Sequence, residues 1–431
     1  MFRKIAIIAD DLTGAADTGV QFCPYFDDVL LVAHDRISQE IIEPLSVSSH
    51  ALAIYTNSRA LQPVSCRQRL TKIAVRLQDL QLDWMYKKVD SCLRGNIGTE
   101  VDALVEKLTY DASFIAPAFP EMGRTTVNNV HMVHGTPVDR TEIAFDPVTP
   151  VTDARLSCVI ESQSNHPVRH VHLKWLREPD DELRKTVTQI LVDGVRHVTF
   201  DAQSQSDLEK IAETAFSLPY KILPVGSAGL ASSMTAALRA KVSRSTAEHK
   251  KMPDGHLILV CGSASEVASR QIETLVANHP YETVSLAAAL LTGPKAHAKL
   301  VSEARGAGKI LAEKDLIIRT QSVADGGHIT CSKTGMSDAG RIVEGLAVFV
   351  RALVDVVKPA GLFLTGGDTA AAVLDALGST GVSVQGEVIT GMVQGRIRGG
   401  LMDGSPVVTK AGAFGKPDAL VRFHEYWNTT R

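Results

Sequence analysis

The strongest constraint on the fold is a set of short, mainly apolar runs that each end abruptly in polar residues. In the first 120 residues these runs cover residues 4–9, 51–55, 84–88 and 113–116. Such runs predict strands that are buried on both faces of a parallel sheet. Residues 63–80 carry apolar side chains at helical spacing, as a crossover helix between parallel strands requires. The succession predicts an α/β fold.

Polar clusters follow the first three runs directly, and residues 117–120, with two prolines, follow the fourth. The polar clusters are Asp10-Asp11, residues 56–59 and residues 89–91. Because the carboxyl ends of parallel strands meet at one edge of an open sheet, and ligands bind beyond that edge, we expect a ligand site there. The loop after the third run also carries Arg94, which binds an anionic group or only pairs with Glu100.

The length of 431 residues and the chain pattern favour two domains. A charged stretch without a sustained apolar face predicts a linker at 241–255, between a first domain at 1–240 and a second at 256–431. Each domain should contain a mainly parallel sheet flanked by helices. Residues 123–176 are rich in histidine and proline, and we expect them to form an insertion that covers the sheet edge.

Charge and composition narrow the choice of partners. Lys plus Arg number 45 and Asp plus Glu 48, a formal charge of −3, so neither nucleic acid nor a membrane surface is an expected partner. No apolar segment is long enough to span a bilayer, and the six cysteines form no C-x-x-C pair. We therefore expect a cytoplasmic protein with reduced thiols.

Candidate binding residues in the first half are acidic and basic side chains at strand ends. Asp11 either caps the following helix or points into the ligand crevice. Alternation places Lys88 and Asp90 on one side of the chain, where they suit a hydroxy acid or form a surface ion pair. Arg59 offers a guanidinium fork that matches a carboxylate.

Two glycine-rich turns mark the second half, at residues 262–265 and 366–369. Each joins a predicted strand to a helix, where backbone N–H groups can approach phosphates, although such turns also need glycine for steric reasons. The chain has neither a G-x-x-x-x-G-K-[ST] nor a G-x-G-x-x-G motif. A kinase of a small acid fits this division between an anionic ligand and a phosphate-bearing one.

Eight segments in chain order resemble the four-carbon acid sugar kinase family, and together they span nearly the whole chain. They are IADDLTGAADTGVQF, YTNSR, KKVDSCLRGNIGTE, APAFPEMGR, VHGTPVDRTEIAFDPVTPV, CGSAS, LTGGDTAAAVL and TKAGAFG. The resemblance implies transfer of phosphate from ATP to the 4-hydroxyl of a tetronate. It also implies a substrate domain first, a nucleotide domain second, an active site in the interdomain cleft, and Mg²⁺ on the phosphates.

The start DDLTGAADTGVQF resembles threonate and erythronate kinases more than oxo-tetronate kinases, so D-threonate is the first expectation. D-erythronate and 3-oxo-tetronate are the alternatives within the family. A non-catalytic sensor that binds sugar acid and ATP is an alternative of another class. An oxidoreductase would need a dinucleotide fingerprint, which the sequence lacks. The expected partners are a sugar acid and ATP, and a homo-oligomer is left open.

The division of labour between the two halves of the chain also suggests roles for individual residues. Arg59 and Lys88 would hold the substrate carboxylate, and Asp11, or else Asp90, would accept the hydroxyl proton. The sequence assigns no metal ligands, and Ser265 is an alternative to Ser263 at the nucleotide. The substrate contacts that the resemblance implies are Asp11, Arg59, Lys88, Val89, Asp90 and Ser91, and the ATP contacts that it implies are Ser263, Gly366, Gly367, Asp368, Thr369 and Gly412.

Overall fold

The computed structural model of the protein forms two compact units, Met1–Thr246 and Ala247–Arg431. The division falls inside the predicted linker 241–255, of which only 251–255 belong to the described residues. The structure describes residues 4–37, 50–80, 82–146, 148–238, 251–262, 265–292, 296–321, 338–412 and 414–431.

The first unit is built on a parallel sheet. In the described part of the chain its strands are β1 (Lys4–Ala9), β2 (Asp28–Ala33), β3 (His50–Tyr55), β4 (Trp84–Lys88), β5 (Ala112–Ala116), β9 (Val168–Val171), β10 (His197–Phe200) and β11 (Ile222–Gly226). They are arranged in the order β2-β3-β1-β4-β11-β5-β10-β9, and every neighbouring pair is parallel. Strand β3 is buried along its full length and β1 from Ile5 onward, which explains their apolar composition.

Helices cover this sheet. They are α1 (Leu12–Gly19), α2 (Pro63–Gln78), α3 (Ile97–Lys107), α4 (Leu156–Gln163), α5 (Leu173–Leu176), α6 (Asp180–Val192), α7 (Gln205–Ser217) and α8 (Ala228–Leu238), with 3₁₀ turns at Val20–Phe22, Pro120–Met122, Val138–Arg140 and Glu142–Phe145. The crossover helix α2 shows why the pattern folds this way. Pro63 occupies its first turn, where no N–H is needed, and Leu70, Ile73 and Leu77 form its buried face.

The predicted insertion at 123–176 contains a small antiparallel sheet. Its strands are β6 (Arg124–Val127), β7 (Val130–Val133) and β8 (Thr136–Pro137). Asn128 and Asn129 connect the first two strands with positive φ angles, as a tight hairpin turn requires. The predicted extent was wrong at its carboxyl end, because β9 pairs with β10 and belongs to the main sheet.

The second unit has a mixed sheet. Its strands are β12 (Leu257–Cys261), β13 (Glu282–Leu286), β14 (Leu316–Thr320), β15 (Gly361–Thr365), β16 (Gly381–Ile389), β17 (Met392–Arg398) and β18 (Pro406–Lys410). Strands β13-β14-β12-β15-β18 are parallel, and β17 and β16 continue the sheet antiparallel. The helices are α9 (Glu266–Asn278), α10 (Ala288–Thr292), α11 (Ala296–Leu311), α12 (Asp338–Val356), α13 (Gly367–Ala376) and α14 (Ala419–Thr429).

This architecture confirms the expected α/β class, with a mainly parallel sheet and flanking helices in each unit. The hairpin β16–β17 was not expected from the sequence pattern. Gly386, Gly391 and Gly395 interrupt its apolar alternation, and two register shifts break its pairing. No helix in the described residues has the length and apolar character needed to cross a membrane.

Replacement of Gly226 by alanine should destabilise the first unit. A Cβ at this last residue of β11 would lie 2.5 Å from the carbonyl oxygen of Ala116 and 2.9 Å from the Cβ of Leu230. Because the first contact is with backbone, we expect a loss of about 1–3 kcal/mol, seen as a lower urea midpoint. Gly306→Ala is the control, since nothing lies within 4 Å of its Cβ position. Equal midpoints for the two variants would contradict this account.

Candidate active site

The strand ends of the first unit share one register. Ala9 at the end of β1 lies opposite Tyr55 of β3 and opposite Lys88 of β4, and Lys88 lies opposite Gly226 of β11. The loops that follow these residues therefore begin at one edge of the sheet. The structure brings the predicted polar clusters together at this edge, which we call the strand-end site.

Asp11 caps helix α1 and forms an ion pair as well. Its Oδ1 accepts a hydrogen bond from the Gly14 amide at 2.7 Å, and its Oδ2 accepts one from the Thr13 hydroxyl at 3.1 Å. The Arg59 Nη1 atom lies 3.0 Å from the same Oδ2. The capping role that the sequence offered for Asp11 is confirmed, and its role at a ligand stays a prediction.

Arg59 lies among three aspartates. Its Nε donates to Asp10 Oδ2 at 2.6 Å, its Nη1 pairs with Asp11, and its Nη2 is 3.9 Å from Asp90 Oδ1. Burial alone would raise the pKa of Asp10, but Arg59, Lys87 and Lys88 together lower it below its ordinary value. These contacts fix the orientation of the guanidinium. The role of Arg59 at a ligand carboxylate stays a prediction.

The two lysines that end β4 lie on opposite faces of the sheet, because successive side chains of a strand alternate. The Lys87 ammonium lies 2.5 Å from Glu100 Oε2 on α3, and the Ser58 hydroxyl donates to the other oxygen of Glu100. The Lys88 ammonium donates to the Val89 carbonyl at 2.8 Å on the α1 side. Lys87 therefore has a structural ion pair, and Lys88 faces the strand-end site.

Arg94 pairs with Asp90, and this pairing corrects one sequence alternative. Its Nε and Nη2 lie 2.8 and 3.1 Å from the two carboxylate oxygens of Asp90, and its Nη1 lies 3.2 Å from Asp146 Oδ2. Glu100, the partner considered in the sequence, is instead bound to Lys87. Burial opposes ionisation of Asp90, but Arg94 and Arg59 hold its pKa well below the usual range.

Backbone contacts hold the segment Val89 to Ser91. The Val89 amide donates to the Gly226 carbonyl at 2.9 Å, and the His131 Nε2–H donates to the Ser91 carbonyl at 2.8 Å. Burial lowers the pKa of His131 to about 4, so the ring is neutral near pH 7. The Thr126 hydroxyl, 2.9 Å from His131 Nδ1, then serves as the donor to that nitrogen. The insertion thus supports the strand-end site from one side.

Asp17 was missed by the sequence analysis. It lies on α1 three residues after Gly14, on the same side of the helix, and it is half-buried. Its Oδ1 is buried without a hydrogen-bond partner among the described residues. Burial raises the pKa of Asp17 to about 6, Lys88 opposes the shift, and Asp11 and Glu121 add to it. The sequence signal that could have identified Asp17 is its helical spacing from Gly14, which places both residues on one side of α1.

In the second unit, three parallel strands also end in register. Thr365 of β15 lies opposite Cys261 of β12 and opposite Lys410 of β18. Gly366 has a φ of 96°, which favours glycine, and it precedes α13 without a side-chain cap. The Thr365 hydroxyl oxygen is buried without a partner among the described residues. Uncapped N–H groups at a helix start and an unused hydroxyl fit a phosphate-bearing ligand.

The predicted nucleotide residues adjoin these strand ends. Gly367, Asp368 and Thr369 form the first turn of α13, and a Cβ at Gly262 would clash with the Thr369 hydroxyl. Ser263 lies outside the described residues. The Gly412 carbonyl accepts a hydrogen bond from the Lys410 ammonium.

Lys410 binds the loop that follows β18. Its Nζ donates to the carbonyls of Ala411, Gly412 and Phe414 at 2.8, 3.2 and 2.9 Å. Burial lowers the pKa of Lys410 to about 8. Because three carbonyls accept its three N–H groups, this lysine holds the backbone of the predicted ATP loop in place.

Two groups of side chains in the described residues are close enough to share a metal ion, and both lie outside the strand-end site. In the first group Asp201 already accepts backbone hydrogen bonds from Asn128, Asn129 and Leu173. In the second, Asp102 and Glu106 already face Arg67. These contacts within the protein account for both groups without a metal ion, so we assign both a structural role. The groups are His170–His172–Asp201 and Asp102–Glu106–His166.

Comparison with known families follows the two units. Residues 5–234 match the family model of a sugar-binding N-terminal domain, and residues 258–420 match that of a nucleotide-binding C-terminal domain. A D-threonate kinase of Salmonella typhimurium is 32% identical, covering 97% of this chain and 96% of its own. The chain belongs to the four-carbon acid sugar kinase family. The recognition made from the sequence motifs is thereby confirmed, and the protein is placed among the sugar-acid kinases.

Other members of the family have different names. A D-erythronate kinase of Heliobacterium modesticaldum is 28% identical over 98% of this chain and 97% of its own. A 3-oxo-tetronate kinase of Burkholderia multivorans is 25% identical over 90% of this chain and 89% of its own. The relatives thus share the four-carbon acid sugar kinase family and are named for three different four-carbon acids.

Solved structures support the fold. A crystal structure from Salmonella typhimurium, described as a putative tRNA synthase, has a TM-score of 0.78 and 22% identity, covering 97% of this chain and 98% of its own. A Haemophilus influenzae protein has a TM-score of 0.70 and 21% identity, covering 98% and 99%. At these identities the likeness concerns the fold alone.

Glu100→Gln should destabilise the first unit strongly, because it leaves the Lys87 ammonium buried without a counter-charge. We expect a loss of about 3–5 kcal/mol in the free energy of unfolding, measured by urea denaturation. Glu106→Gln is the matched control on the same helix, since Glu106 forms an exposed pair with Arg67. Its expected loss is below about 1 kcal/mol. Similar losses for both variants would show that Lys87 does not depend on Glu100.

Proposed function

We propose that this protein is an ATP-dependent kinase that phosphorylates the 4-hydroxyl of D-threonate. The observation that carries the proposal is that each unit has a group of polar residues at its strand ends, and that the two groups differ in chemistry. The site in the first unit contains Arg59, Lys88 and several carboxylates, which suit a hydroxy acid. The site in the second unit contains an uncapped helix start behind Gly366, which suits phosphate. Family membership supplies the reaction class.

In this proposal the ammonium of Lys88 binds the substrate carboxylate. Among the described residues its only hydrogen-bond acceptor is the Val89 carbonyl, so two of its three N–H groups can serve a ligand. Arg59, oriented by Asp10 and Asp11, presents its remaining Nη2 edge to the same carboxylate.

The substrate hydroxyls would form hydrogen bonds with the other predicted contact residues, which are Asp11, Val89, Asp90 and Ser91. Asp90 is held in one orientation by Arg94, so a hydroxyl that donates to it would meet a fixed carboxylate. Such fixed acceptors distinguish stereoisomers that differ in the direction of one hydroxyl.

ATP would be held by the second unit. Gly366, Gly367, Asp368 and Thr369 form the turn that approaches the phosphates, and Gly412 lies in the loop fixed by Lys410. The role of Ser263 rests on the family resemblance. Mg²⁺ would neutralise the phosphates, as phosphoryl transfer generally requires. The interdomain position of the active site, a cytoplasmic location and a homo-oligomer stay predictions.

An ADP-release assay with a panel of four-carbon acids tests the proposal. We expect ADP formation above the ATP-only background with D-threonate and Mg²⁺, and the highest kcat/KM for this acid. D-erythronate, the L-stereoisomers and 3-oxo-tetronates are the comparison arms, and mass spectrometry identifies the phosphorylated product. A higher kcat/KM with another acid would reassign the substrate. ATP binding without turnover on any acid would favour a sensor.

Gly366→Ala should weaken ATP binding without weakening sugar-acid binding. A side chain at a φ of 96° is strained, and the change alters the turn that presents N–H groups to phosphate. We expect ATP to bind about tenfold more weakly or worse, measured by isothermal titration calorimetry.

Gly378→Ala is the matched control, because Gly378 lies at the other end of α13 with a φ of 75°. It carries similar backbone strain away from the strand ends, so ATP affinity should be retained. Loss of sugar-acid affinity in Gly366→Ala, with ATP affinity intact, would reverse the assignment of ligands to units.

A further inference from the structure

Helix α1 directs one face toward the charged groups of the strand-end site. A Cβ on Gly14 would lie 3.1 Å from Lys88 Nζ and 2.6 Å from Asp11 Oδ1. The absence of a side chain at this position therefore lets the Lys88 ammonium approach the helix. Asp17 follows Gly14 by three residues and Thr13 by four, so it projects from the same face one turn later. Its carboxylate is close enough to Lys88 and Asp11 for their charges to act on it.

One oxygen of the Asp17 carboxylate is unused by the described part of the chain. This Oδ1 atom is buried and accepts no hydrogen bond from the described residues. A buried carboxylate oxygen without a donor is costly, so folded proteins rarely retain one unless a ligand or water supplies the hydrogen bond. The hydroxyl of a bound sugar acid would supply that donor.

The two acceptors considered from the sequence are occupied. Asp11 accepts from the Gly14 amide and the Thr13 hydroxyl and pairs with Arg59. Asp90 is bound at both oxygens by Arg94. Arg94 and Arg59 hold the pKa of Asp90 well below its usual range, so Asp90 is a weak base. The Asp11 oxygens are already committed to the helix cap and to Arg59.

Asp10 is a third competitor, since its Oδ1 is also buried without a partner. Its Oδ2, however, accepts from Arg59 Nε at 2.6 Å. The pKa of Asp10 is lowered below its ordinary value despite burial, because Arg59, Lys87 and Lys88 all favour the ionised form. Asp10 is therefore also a poor proton acceptor near neutral pH.

Electrostatics around Asp17 have the opposite effect. Burial raises its pKa to about 6, and the charged groups that act on it are Lys88, which lowers the pKa, and Asp11 and Glu121, which raise it. A general base is most effective when its pKa lies near the working pH, and this value is suitable for a cytoplasmic enzyme.

We propose that Asp17 is the proton acceptor of the phosphoryl transfer, an assignment that rests on the proposed kinase function. The substrate hydroxyl oxygen forms a bond to the γ-phosphorus of ATP while the bond between that phosphorus and the β,γ-bridging oxygen breaks. The bonding electrons leave with ADP, and the hydroxyl proton passes to Asp17. Release of this proton to solvent restores the carboxylate. The assignment replaces Asp11 and Asp90 in this role and leaves them as binding residues.

Asp17→Asn tests the assignment in the full-length protein. We expect kcat to fall by roughly 10²–10⁴-fold with little change in KM, because the amide keeps the size of the side chain and removes the base. In the wild type kcat should decline as the pH falls through about 6, where Asp17 becomes protonated. This acid limb should be absent from the residual activity of Asp17→Asn. Asp181→Asn, an exposed aspartate on α6, is the control and should match the wild type.

A titration without turnover provides the second readout. Aspartate labelled with ¹³C at the carboxyl carbon should show, by NMR, one resonance with a midpoint near 6 that is missing from Asp17→Asn. The variant should be at least as stable as the wild type at pH 7–8, since the cost of burying the Asp17 charge exceeds the compensation from Lys88.

Three results would overturn the assignment in a wild-type protein that is active. They are an unchanged kcat in Asp17→Asn, a raised KM with unchanged kcat, and a marked loss of stability in the variant. The second would make Asp17 a binding residue, and the third a structural one. If the wild type itself phosphorylates no four-carbon acid, the proposed function fails, and the assignment fails with it.

Discussion

The common register of the parallel strand ends is the constraint on which the site in the first unit depends. Ala9, Tyr55, Lys88 and Gly226 lie side by side across neighbouring strands. Each following loop therefore starts from the same line, although its residues come from distant parts of the sequence. A shift of one residue in β4 would exchange the faces of Lys87 and Lys88 and would separate both lysines from their partners.

That alternation also explains why two adjacent lysines end one buried strand. Each would be costly to bury alone. Lys87 is compensated by Glu100 from the helix on its side of the sheet, and Lys88 faces Asp11, Asp17 and the Val89 carbonyl on the other. The first lysine stabilises the strand end, and the second keeps donors for a ligand. The same strand end therefore combines a structural lysine with the lysine that we propose for ligand binding.

Strand ends were predictable from the sequence because abrupt changes from apolar to polar residues mark them. This signal located Asp11, Arg59, Lys88 and Asp90, and the structure brings these side chains to one edge. Pairing partners were not predictable, because they depend on how loops far apart in sequence meet. Arg94 illustrates the difference, since its second carboxylate partner comes from Asp146 in the insertion rather than from the nearby Glu100.

Two further features of the structure were not predicted from the sequence. One depends on which face of a helix a residue occupies, and the other on strands that glycines interrupt. Asp17 resembles any polar residue of a short helix until the helix is placed against Lys88, and only then does its burial become evident. The sequence pattern did not reveal the hairpin β16–β17, because its glycines break the apolar alternation that identifies a strand. In both cases the sequence contained the residues, but tertiary packing decided what they do.

The two units use a lysine at a strand end in different ways. Lys88 and Lys410 both donate to carbonyls of the segment that follows their own strand. Lys88 makes one such bond among the described residues, whereas Lys410 makes three and has no N–H left. An ammonium with unused donors can bind an anion directly, and one without them can only fix the backbone that binds it. The number of hydrogen bonds thus distinguishes Lys88, for which we propose a role in ligand binding, from Lys410, which positions a loop, although each is the last residue of its strand.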